Sequence, residues 1–304
     1  MKIKKNVLII GAGCAGISAA IYLARSKYSF CIVEKEMLGG KLNTITDIEN
    51  YPGYDKISGI ELIENYKKQL HHLNINITKD EIVDIKKNKD GFIAFSIGNE
   101  YHVDLIIIAT GSKNMPTNIK SEELFIGKGI SYCAVCDAFF NRGKDVVVFG
   151  RDIKSIKEAI YLENLVNKLY FVTDKKMDQF EEFKLLKDSQ KVSIYYPFVL
   201  NNFVGNNTGL TSVEIKEIGS DKKISLDCFT CFPFVGDQPN GNFINNLGIE
   251  TINGYIKTDV NQETNVKGIF ACGDIVSKSL KQIVTAGSDG AIAATNIIKT
   301  LNNK

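Results

Sequence analysis

Two pairs of cysteines in this 304-residue chain have the spacing that thiol redox chemistry uses, namely Cys133 with Cys136 and Cys228 with Cys231. Cysteines three positions apart can close a small, strained disulphide, and such a disulphide exchanges readily with other thiols. The total of seven cysteines is odd, which argues against the disulphide framework of a secreted protein. For Cys133 and Cys136 we therefore predict redox chemistry, with a pair of inert buried thiols or half of a zinc site as the alternatives.

The second cysteine pair lies in an apolar run. Strand alternation would place Cys228 and Cys231 on opposite faces, so we interpret them as structural thiols, with a second disulphide or a metal site as the remaining alternatives. A zinc site made of all four cysteines is disfavoured, because the segment between the two pairs is far longer than zinc modules use. The other three, Cys14, Cys31 and Cys272, are predicted to be small buried residues.

A glycine pattern near the start of the chain predicts a dinucleotide site. The apolar run Asn6–Ile10 leads into Gly11-Ala12-Gly13-Cys14-Ala15-Gly16, which is a G-x-G-x-x-G sequence at the junction of a strand and a helix. Its first glycine permits a tight turn, its second lets the backbone approach a pyrophosphate, and its third allows the helix to pack closely on the strand. The amides at the helix N-terminus then favour a phosphate. Glu34 closes the next strand, 18 residues after the last glycine, where a carboxylate can bind a ribose hydroxyl.

Further turns follow along the chain, each at the end of a strand or a helix. They are Gly39-Gly40-Lys41-Leu42, Asn50-Tyr51-Pro52-Gly53, Ala109-Thr110-Gly111, Gly273-Asp274 and Lys281-Gln282-Ile283-Val284-Thr285-Ala286-Gly287. Taken singly, these segments are ordinary turns. Taken together, they suit a long ligand that crosses several loops.

The elements that must position these residues alternate between short β-branched runs and helical patterns, which favours a parallel α/β architecture. The predicted strands are Asn6–Ile10, Phe30–Val33, Leu105–Ala109, Asp145–Phe149, Leu169–Val172 and Gly268–Ala271. Helices are predicted at Ile17–Arg25 and Ile153–Asn164, so the chain contains two units of strand, glycine turn, helix and strand. At roughly 150 residues per domain, the length also suggests two domains.

Composition excludes several classes of protein. The 37 Lys and Arg residues nearly balance the 35 Asp and Glu residues, and a net charge of +2 offers no basic stripe for nucleic acid. The hydrophobic share of 44% and the charged share of 24% are ordinary for a soluble globular chain and exclude disorder. No run of about 18 uncharged apolar residues is present, so we predict neither a membrane span nor a membrane partner, and a cytoplasmic location.

The glycine turns in this order, together with Cys133-Ala134-Val135-Cys136-Asp137-Ala138-Phe139-Phe140, resemble the low-molecular-weight thioredoxin reductases over essentially the whole chain. The resemblance implies an α/β protein of two Rossmann-like three-layer domains, the second inserted in the first. Residues 1–115 and 241–304 would form the FAD-binding domain, and residues 116–240 the inserted redox domain with the C-x-x-C pair. A homodimer is also implied, and we expect helix-rich connections near Met115 and Asn240.

The resemblance implies FAD as the cofactor, with Gly273 and Asp274 at its ribityl–phosphate portion and Lys281–Ile283 near its isoalloxazine. The residues expected to bind it are Gly11, Gly13, Cys14, Ala15, Gly16, Glu34, Lys35, Gly40, Lys41, Leu42, Asn50, Val83, Ala109, Thr110, Gly111, Gly273, Asp274, Lys281, Gln282 and Ile283.

The resemblance also assigns the catalytic roles. Cys136 is expected to lie against the flavin and take its electrons, and Cys133 to attack the disulphide of thioredoxin. Asp137 is expected to handle the proton as acid and base.

The second strand–turn–helix unit departs from the family pattern. Members that use NADPH carry a glycine-rich turn there, whereas this chain has Gly150-Arg151-Asp152-Ile153-Lys154-Ser155. Asp152 stands where the backbone should approach the pyrophosphate, and each like-charge pair at roughly 4–5 Å would cost about 3–4 kcal/mol. Where the family has a His-Arg-Arg cluster for the 2′-phosphate, this chain reads Thr173-Asp174-Lys175-Lys176, so the bidentate arginine fork is missing.

We therefore predict that NADPH does not bind. The pattern is most like the pyridine-nucleotide-independent flavin thioredoxin reductases, which take electrons from reduced ferredoxin. Thioredoxin and ferredoxin are then the predicted protein partners. Three alternatives stay open: an NADPH-dependent reductase with an atypical turn, a flavin dithiol oxidase that uses oxygen, and a flavin-binding redox sensor.

Overall fold

The computed structural model describes residues 1–45, 48–132 and 134–303, without the side chains of Thr44, Val135, Cys136 and Asn242. The first cysteine of the predicted redox pair, Cys133, therefore lies outside the described residues, and its partner Cys136 is described by its backbone alone.

The described chain alternates strands and helices. In chain order the strands are β1 (Lys2–Ile10), β2 (Phe30–Glu34), β3 (Ile77–Lys79), β4 (Asp84–Asn88), β5 (Gly91–Phe95), β6 (Glu100–Ile108), β7 (Ser112–Asn114), β8 (Asp145–Phe149), β9 (Lys168–Val172), β10 (Val192–Tyr195), β11 (Phe198–Asn206), β12 (Gly209–Glu217), β13 (Lys223–Asp227), β14 (Thr230–Pro233), β15 (Asp237–Pro239), β16 (Thr251–Ile252), β17 (Tyr255–Ile256) and β18 (Ile269–Ala271). The α-helices are α1 (Cys14–Leu23), α2 (Gly59–His72), α3 (Glu122–Phe125), α4 (Ala134–Asp137), α5 (Ile153–Glu163), α6 (Phe183–Asp188) and α7 (Ile283–Asn302). Short 3₁₀ turns cover Gly40–Thr44, Phe139–Asn141, Asn242–Leu247 and Gly273–Ile275.

The chain separates into two compact units. The first unit is Met1–Lys113 with Gln238–Lys304, and the second unit is Asn114–Asp237. These bounds lie close to the expected ones, while the role of each unit stays a prediction. The expectation of helical connections near Met115 and Asn240 is wrong, because the strands β7 and β15 end immediately before these two residues. Pro116 follows Met115, and Pro239 ends β15 just before Asn240; the residue before a proline is held in extended backbone.

The first unit is built on a seven-stranded sheet in the order β3-β2-β1-β6-β5-β4, with β18 also paired to β6. The strands β3, β2, β1, β6 and β18 are parallel to their neighbours, whereas β4 and β5 form an antiparallel hairpin against β6. Residues of β1 alternate between two cores. Val7 and Ile9 pack with α1 and α7, while Leu8 and Ile10 pack with the β4–β5 hairpin and Ile244.

The second unit has two sheets. Strands β10, β9, β8 and β14 form a parallel sheet in that order, and β11, β12 and β13 form an antiparallel one. Along β8, Val146 and Val148 pack with α5 and α6, and Val147 and Phe149 pack with the antiparallel sheet. Each unit is thus layered around a parallel sheet, and the predicted α/β class of Rossmann-like three-layer units is confirmed. Within the described residues, no helix is both long enough and apolar enough to cross a bilayer.

Candidate cofactor and redox site

The turn between β1 and α1 leaves a space in front of a helix N-terminus. Gly11 has φ +105°, and a Cβ there would lie 2.5 Å from the Ala109 carbonyl oxygen. A Cβ on Gly16 would lie 1.9 Å from the Gly11 carbonyl oxygen, so both glycines are required by the fold itself. Gly13 differs from them. It has ordinary extended backbone, caps α1 without a side-chain hydrogen bond, and a Cβ there would meet no described atom within 4 Å.

A second glycine loop lies against this turn. The Gly39 N–H donates to the Ala12 carbonyl oxygen at 2.8 Å, and Gly39 forms an isolated bridge with Gly13. The nearest atom to a Cβ on Gly40 would be the Gly13 Cα, at 3.8 Å. The first glycine turn and the start of the Gly40–Thr44 turn, with Lys41 and Leu42, are therefore neighbours, as the sequence predicts.

The predicted ribose carboxylate lies at the end of β2. Glu34 accepts hydrogen bonds from the Ala12 N–H at 2.7 Å and from the Glu36 N–H at 2.8 Å, which fixes the carboxylate beside the glycine turn. Lys35 instead pairs with Glu36 and Glu81 at the surface. Val83 precedes β4, is 52% exposed, and donates its N–H to Phe95. The structure thus ties Glu34, rather than Lys35 or Val83, directly to the first glycine turn.

Two more segments reach the same edge of the sheet, after β6 and after β18. Ala109 packs against Gly11, and the Thr110 hydroxyl is buried with no hydrogen-bond partner among the described residues. Gly273, with φ +80°, packs on Ala15, and Asp274 follows it. Sequence reasoning missed Asp289, which accepts the Gly273 N–H at 3.0 Å and pairs with Lys278 at 2.5 Å. A lone acid in the apolar, small-residue helix α7 was the signal for it.

The segment that leads into α7 is hydrogen-bonded to two of the other predicted loops. The Asn50 amide donates to the Gln282 side chain at 3.0 Å. The Cys14 thiol donates to the Ile283 carbonyl oxygen at 3.3 Å and also lies 3.3 Å from the Tyr66 hydroxyl. Burial raises the pKa of Cys14, so this thiol serves as a protonated donor. Lys281 places its ammonium over the Tyr255 ring.

These residues fit FAD. An extended dinucleotide needs backbone amides without a covering side chain, a carboxylate for a ribose, and polar atoms whose partner is not protein. Gly13, Glu34 and Thr110 meet these needs in that order. All twenty predicted cofactor residues belong to the first unit.

The predicted redox segment lies in the second unit, where α4 spans Ala134–Asp137. The Asp137 carbonyl oxygen accepts a hydrogen bond from the Asn141 amide at 2.7 Å. Directly after the segment, the rings of Phe139 and Phe140 meet edge to face and are 78% and 66% exposed. Two large apolar rings are therefore exposed to solvent a short way beyond α4.

The turn between β8 and α5 differs from the first glycine turn. Asp152 caps α5, and its carboxylate accepts the Ser155 N–H at 2.8 Å. The Arg151 guanidinium makes two hydrogen bonds, at 2.8 and 2.9 Å, to the Asp174 carboxylate and lies over the Phe149 ring. A phosphate bound here would need the Ser155 amide and could be bound by Arg151. Carboxylates of the chain itself already engage both groups.

The five described thiols outside the predicted redox pair are free. Cys228 and Cys231 are both free, buried and part of one core cluster, so the prediction of opposite faces is wrong. The reason is that Cys228 precedes β14, and strand alternation does not apply to it. Burial raises the pKa of Cys228 to about 12. Cys272 is buried as predicted, whereas Cys14 and Cys31 are half-buried.

Comparisons with known proteins extend these observations. The family model described as pyridine nucleotide-disulphide oxidoreductase matches residues 5–290. A thioredoxin reductase from Rickettsia typhi is 37% identical over 311 residues, which cover 99% of this chain and 100% of the relative. The crystal structure of Lactococcus lactis thioredoxin reductase superposes with a TM-score of 0.86 at 32% identity, covering 99% of this chain and 100% of that one. A ferredoxin-flavin thioredoxin reductase from Clostridium acetobutylicum has a TM-score of 0.57 at 28% identity, with 100% of both chains covered.

Proposed function

The chain belongs to the pyridine nucleotide-disulphide oxidoreductase family, and from that premise we propose an FAD-dependent thioredoxin-disulphide reductase whose electron donor is reduced ferredoxin rather than NADPH. The general activity, that of a flavoprotein disulphide oxidoreductase of the thioredoxin reductase type, follows from the family and from 37% identity over the whole length.

The first unit supplies the cofactor site. The uncapped amides at the start of α1 would bind the phosphates, and Glu34 would accept a hydrogen bond from a ribose hydroxyl. FAD held there would supply a group that can take up electrons singly and give them up as a pair, which suits a one-electron donor and a disulphide acceptor. Asn50 and Gln282, joined by their side-chain hydrogen bond, hold two of the loops around it in place.

The thiol chemistry belongs to Cys133 and Cys136 in their reduced form. The Cys133 thiolate attacks one sulphur of the thioredoxin disulphide, so that a mixed disulphide forms and the other thioredoxin sulphur leaves as a thiolate. Asp137 takes the proton that the Cys133 thiol loses and passes it to this leaving sulphur. Cys136 then attacks the Cys133 sulphur and releases the second thioredoxin thiol. Two electrons and two protons pass to thioredoxin, and the Cys133–Cys136 disulphide is left for the next reduction.

The observation that carries the donor assignment is the contrast between the two turns. Both follow a parallel strand and open a helix, but α1 has no side-chain cap whereas the Asp152 carboxylate caps α5. A pyrophosphate at α5 would have to displace that carboxylate and would meet its charge. Asp174 also neutralises Arg151, which is the only arginine of the Gly150–Ser155 turn.

The rival donor is NADPH, which the family description favours because it names pyridine nucleotides. The strand–turn–helix unit of β8 and α5 is intact, and Lys175 and Lys176 remain after β9. The two donors are distinguished by anaerobic flavin absorbance. We expect reduced ferredoxin to bleach the flavin and oxidised thioredoxin to restore it. Bleaching within seconds at micromolar NADPH would overturn the donor assignment.

The redox pair is tested in the same experiment with Cys133→Ser and, as a matched control, Cys228→Ser. We expect Cys133→Ser to keep flavin bleaching by ferredoxin and to lose thioredoxin turnover, because Cys133 is the sulphur that attacks the partner. Cys228 is buried in the core of the second unit, so its variant should keep both steps if it folds. Full thioredoxin turnover by Cys133→Ser would refute the assigned role.

The homodimer and the cytoplasmic location stay predictions. Light scattering of the holoenzyme on gel filtration measures the first, and fractionation of the source cells measures the second.

A further inference from the structure

The residue that precedes the redox pair is held by a buried carboxylate. The Tyr132 hydroxyl donates to the Glu122 carboxylate at 2.6 Å, and Glu122 is only 3% exposed. Burial, and after it this carboxylate, raise the pKa of Tyr132, so the phenol keeps its proton and remains a donor.

The carboxylate is itself fixed in place. Its second oxygen accepts the Thr117 N–H at 2.8 Å and the Thr117 hydroxyl at 2.9 Å. A carboxylate with this many donors cannot swing away, so Tyr132 is joined to a rigid point.

The backbone leading to Tyr132 is also anchored. The Ser131 N–H donates to the Cys231 carbonyl oxygen at 3.1 Å, and the Cys231 N–H donates to the Gly129 carbonyl oxygen at 2.8 Å. The chain before the redox pair is therefore bonded to β14 through its backbone as far as Ser131. The next residue, Tyr132, is held by its side chain.

A second anchor follows the redox pair. Asn141 is 1% exposed, and its amide donates to the Asp137 carbonyl oxygen at 2.7 Å, at the end of α4. Its backbone N–H donates to the Ala138 carbonyl oxygen at 3.1 Å. A buried amide serves here to hold the last carbonyl of a single-turn helix.

We propose that Glu122, Tyr132 and Asn141 form a clamp of positioning residues that fixes the backbone on both sides of Cys133 and Cys136 and thereby favours their disulphide. The inference rests on the proposed function, since it assumes that these two cysteines are the redox pair. A disulphide needs a narrow range of Cβ separations and torsions. A chain anchored on both sides of the pair leaves the dithiol less conformational freedom to lose when the bond closes.

The clamp predicts the direction in which the redox equilibrium moves. With oxidised glutathione, the dithiol of the pair becomes a disulphide and two glutathione thiols are released. Loosening the clamp lowers the equilibrium constant of this exchange. The dithiol then has more conformational freedom, and more of it must be lost when the disulphide closes. The pair in a loosened variant is therefore reduced more readily.

Tyr132→Phe removes one hydroxyl and keeps the ring. We expect a three- to tenfold lower equilibrium constant, measured on the holoenzyme in glutathione buffers by acid trapping and mass spectrometry of the peptide that contains residues 133–136. A tenfold change corresponds to about 30 mV for this two-electron couple. Tyr170→Phe is the matched control, because it removes a hydroxyl from the same core cluster on β9, and its constant should stay within twofold of the wild type.

Asn141→Ala tests the other side of the clamp and should shift the constant in the same direction. Constants for Tyr132→Phe and Asn141→Ala that equal the Tyr170→Phe value would overturn the clamp while leaving the proposed function intact. A wild-type peptide that never forms the 133–136 disulphide would instead refute the proposed function and the clamp together.

Discussion

At the scale of single residues, three glycines of one turn serve different purposes. Gly11 and Gly16 are required by neighbouring backbone atoms, at 2.5 Å and 1.9 Å from a Cβ, whereas a Cβ on Gly13 meets nothing. The first two shape the turn, and the third leaves room for a ligand. A sequence motif alone does not separate these purposes, because all three positions demand the same residue.

This difference predicts opposite results for two small substitutions. Gly13→Ala should leave the unfolding of the apoprotein unchanged and weaken FAD binding at least tenfold, because its methyl group occupies the space for the phosphates. Gly16→Ala should destabilise the apoprotein itself, because its methyl group overlaps the Gly11 carbonyl. Flavin content on purification and thermal unfolding of the apoproteins check both. Normal FAD affinity in Gly13→Ala would show that the phosphates lie elsewhere.

The exposed rings of Phe139 and Phe140 predict where the partner binds. They follow Asp137 after a single residue, and their combined exposure offers an apolar contact close in sequence to the redox pair. We expect Phe140→Ser to raise the KM for thioredoxin about tenfold, in line with the loss of a buried aromatic contact, and to leave flavin reduction by the donor unchanged. Leu185→Ser, on the exposed side of α6, is the matched control and should change neither quantity. An unaltered KM in Phe140→Ser would place thioredoxin on another surface.

At the scale of elements, α1 and α5 begin alike and are capped differently. In α5 the cap is reciprocal, since Asp152 accepts from the Ser155 N–H and the Ser155 hydroxyl accepts from the Asp152 N–H. Such a cap stabilises a helix in the absence of ligand, which a phosphate-binding turn does not need.

The cap predicts that removing the Asp152 carboxylate lowers the stability of the protein without changing its electron donor. Asp152→Ala should lower the free energy of unfolding by about 1 kcal/mol in urea, the usual value of an N-cap, and Asp152→Asn should lower it less. Neither variant should gain flavin bleaching by NADPH, because Asp174 still engages Arg151. Bleaching by NADPH in Asp152→Ala alone would mean that this one carboxylate excludes the nucleotide.

Much of the parallel framework is predictable, because buried parallel strands are short apolar β-branched runs. The strand β8 has the predicted bounds, and β9 and β18 differ from theirs by a single residue. The strand β1 begins four residues before the predicted start, because Lys2–Lys5 pair with β6, and this pairing is invisible in a lysine-rich segment. The antiparallel strands β11–β13 carry no such apolar signal and depend on each other for pairing.

The site follows the same division. Glycine turns are predictable because their backbone demands are local, and the loops after β1, β2 and β6 do meet. The pairs Arg151–Asp174 and Tyr132–Glu122 join residues 23 and 10 positions apart. The sequence shows that Asp174 interrupts the place of the family's arginine cluster. It does not show that Asp174 also binds Arg151. Only the fold brings those partners together.

At the scale of the whole molecule, wholly or partly buried thiols are distributed over both units. Cys31 and Cys272 lie in the first unit, and Cys228 and Cys231 in the second. Burial raises the pKa of all four, to about 12 for Cys31 and Cys228. Burial therefore keeps these four thiols protonated in the folded chain at pH values where they would ionise in the unfolded chain.

This distribution predicts a loss of stability in alkali. A thiol with a raised pKa in the folded state contributes its full stability below its ordinary value of 9.0, and that contribution falls as the unfolded thiol ionises between pH 9 and about 12. In this window each buried thiol should lower the free energy of unfolding by about 1.4 kcal/mol per pH unit. Urea unfolding from pH 8 to 11 under reducing conditions measures the slope.

Cys228→Ala provides the control for that slope. It removes one titrating thiol from the second unit. The free energy of unfolding should therefore fall less steeply above pH 9, by the slope that one ionising thiol contributes, whatever its value at pH 8. A cavity left by the smaller side chain shifts the whole curve down and leaves its slope unaltered. The slope therefore isolates ionisation from packing. Equal slopes for Cys228→Ala and the wild type would mean that the Cys228 thiol ionises as readily in the folded chain as in the unfolded one.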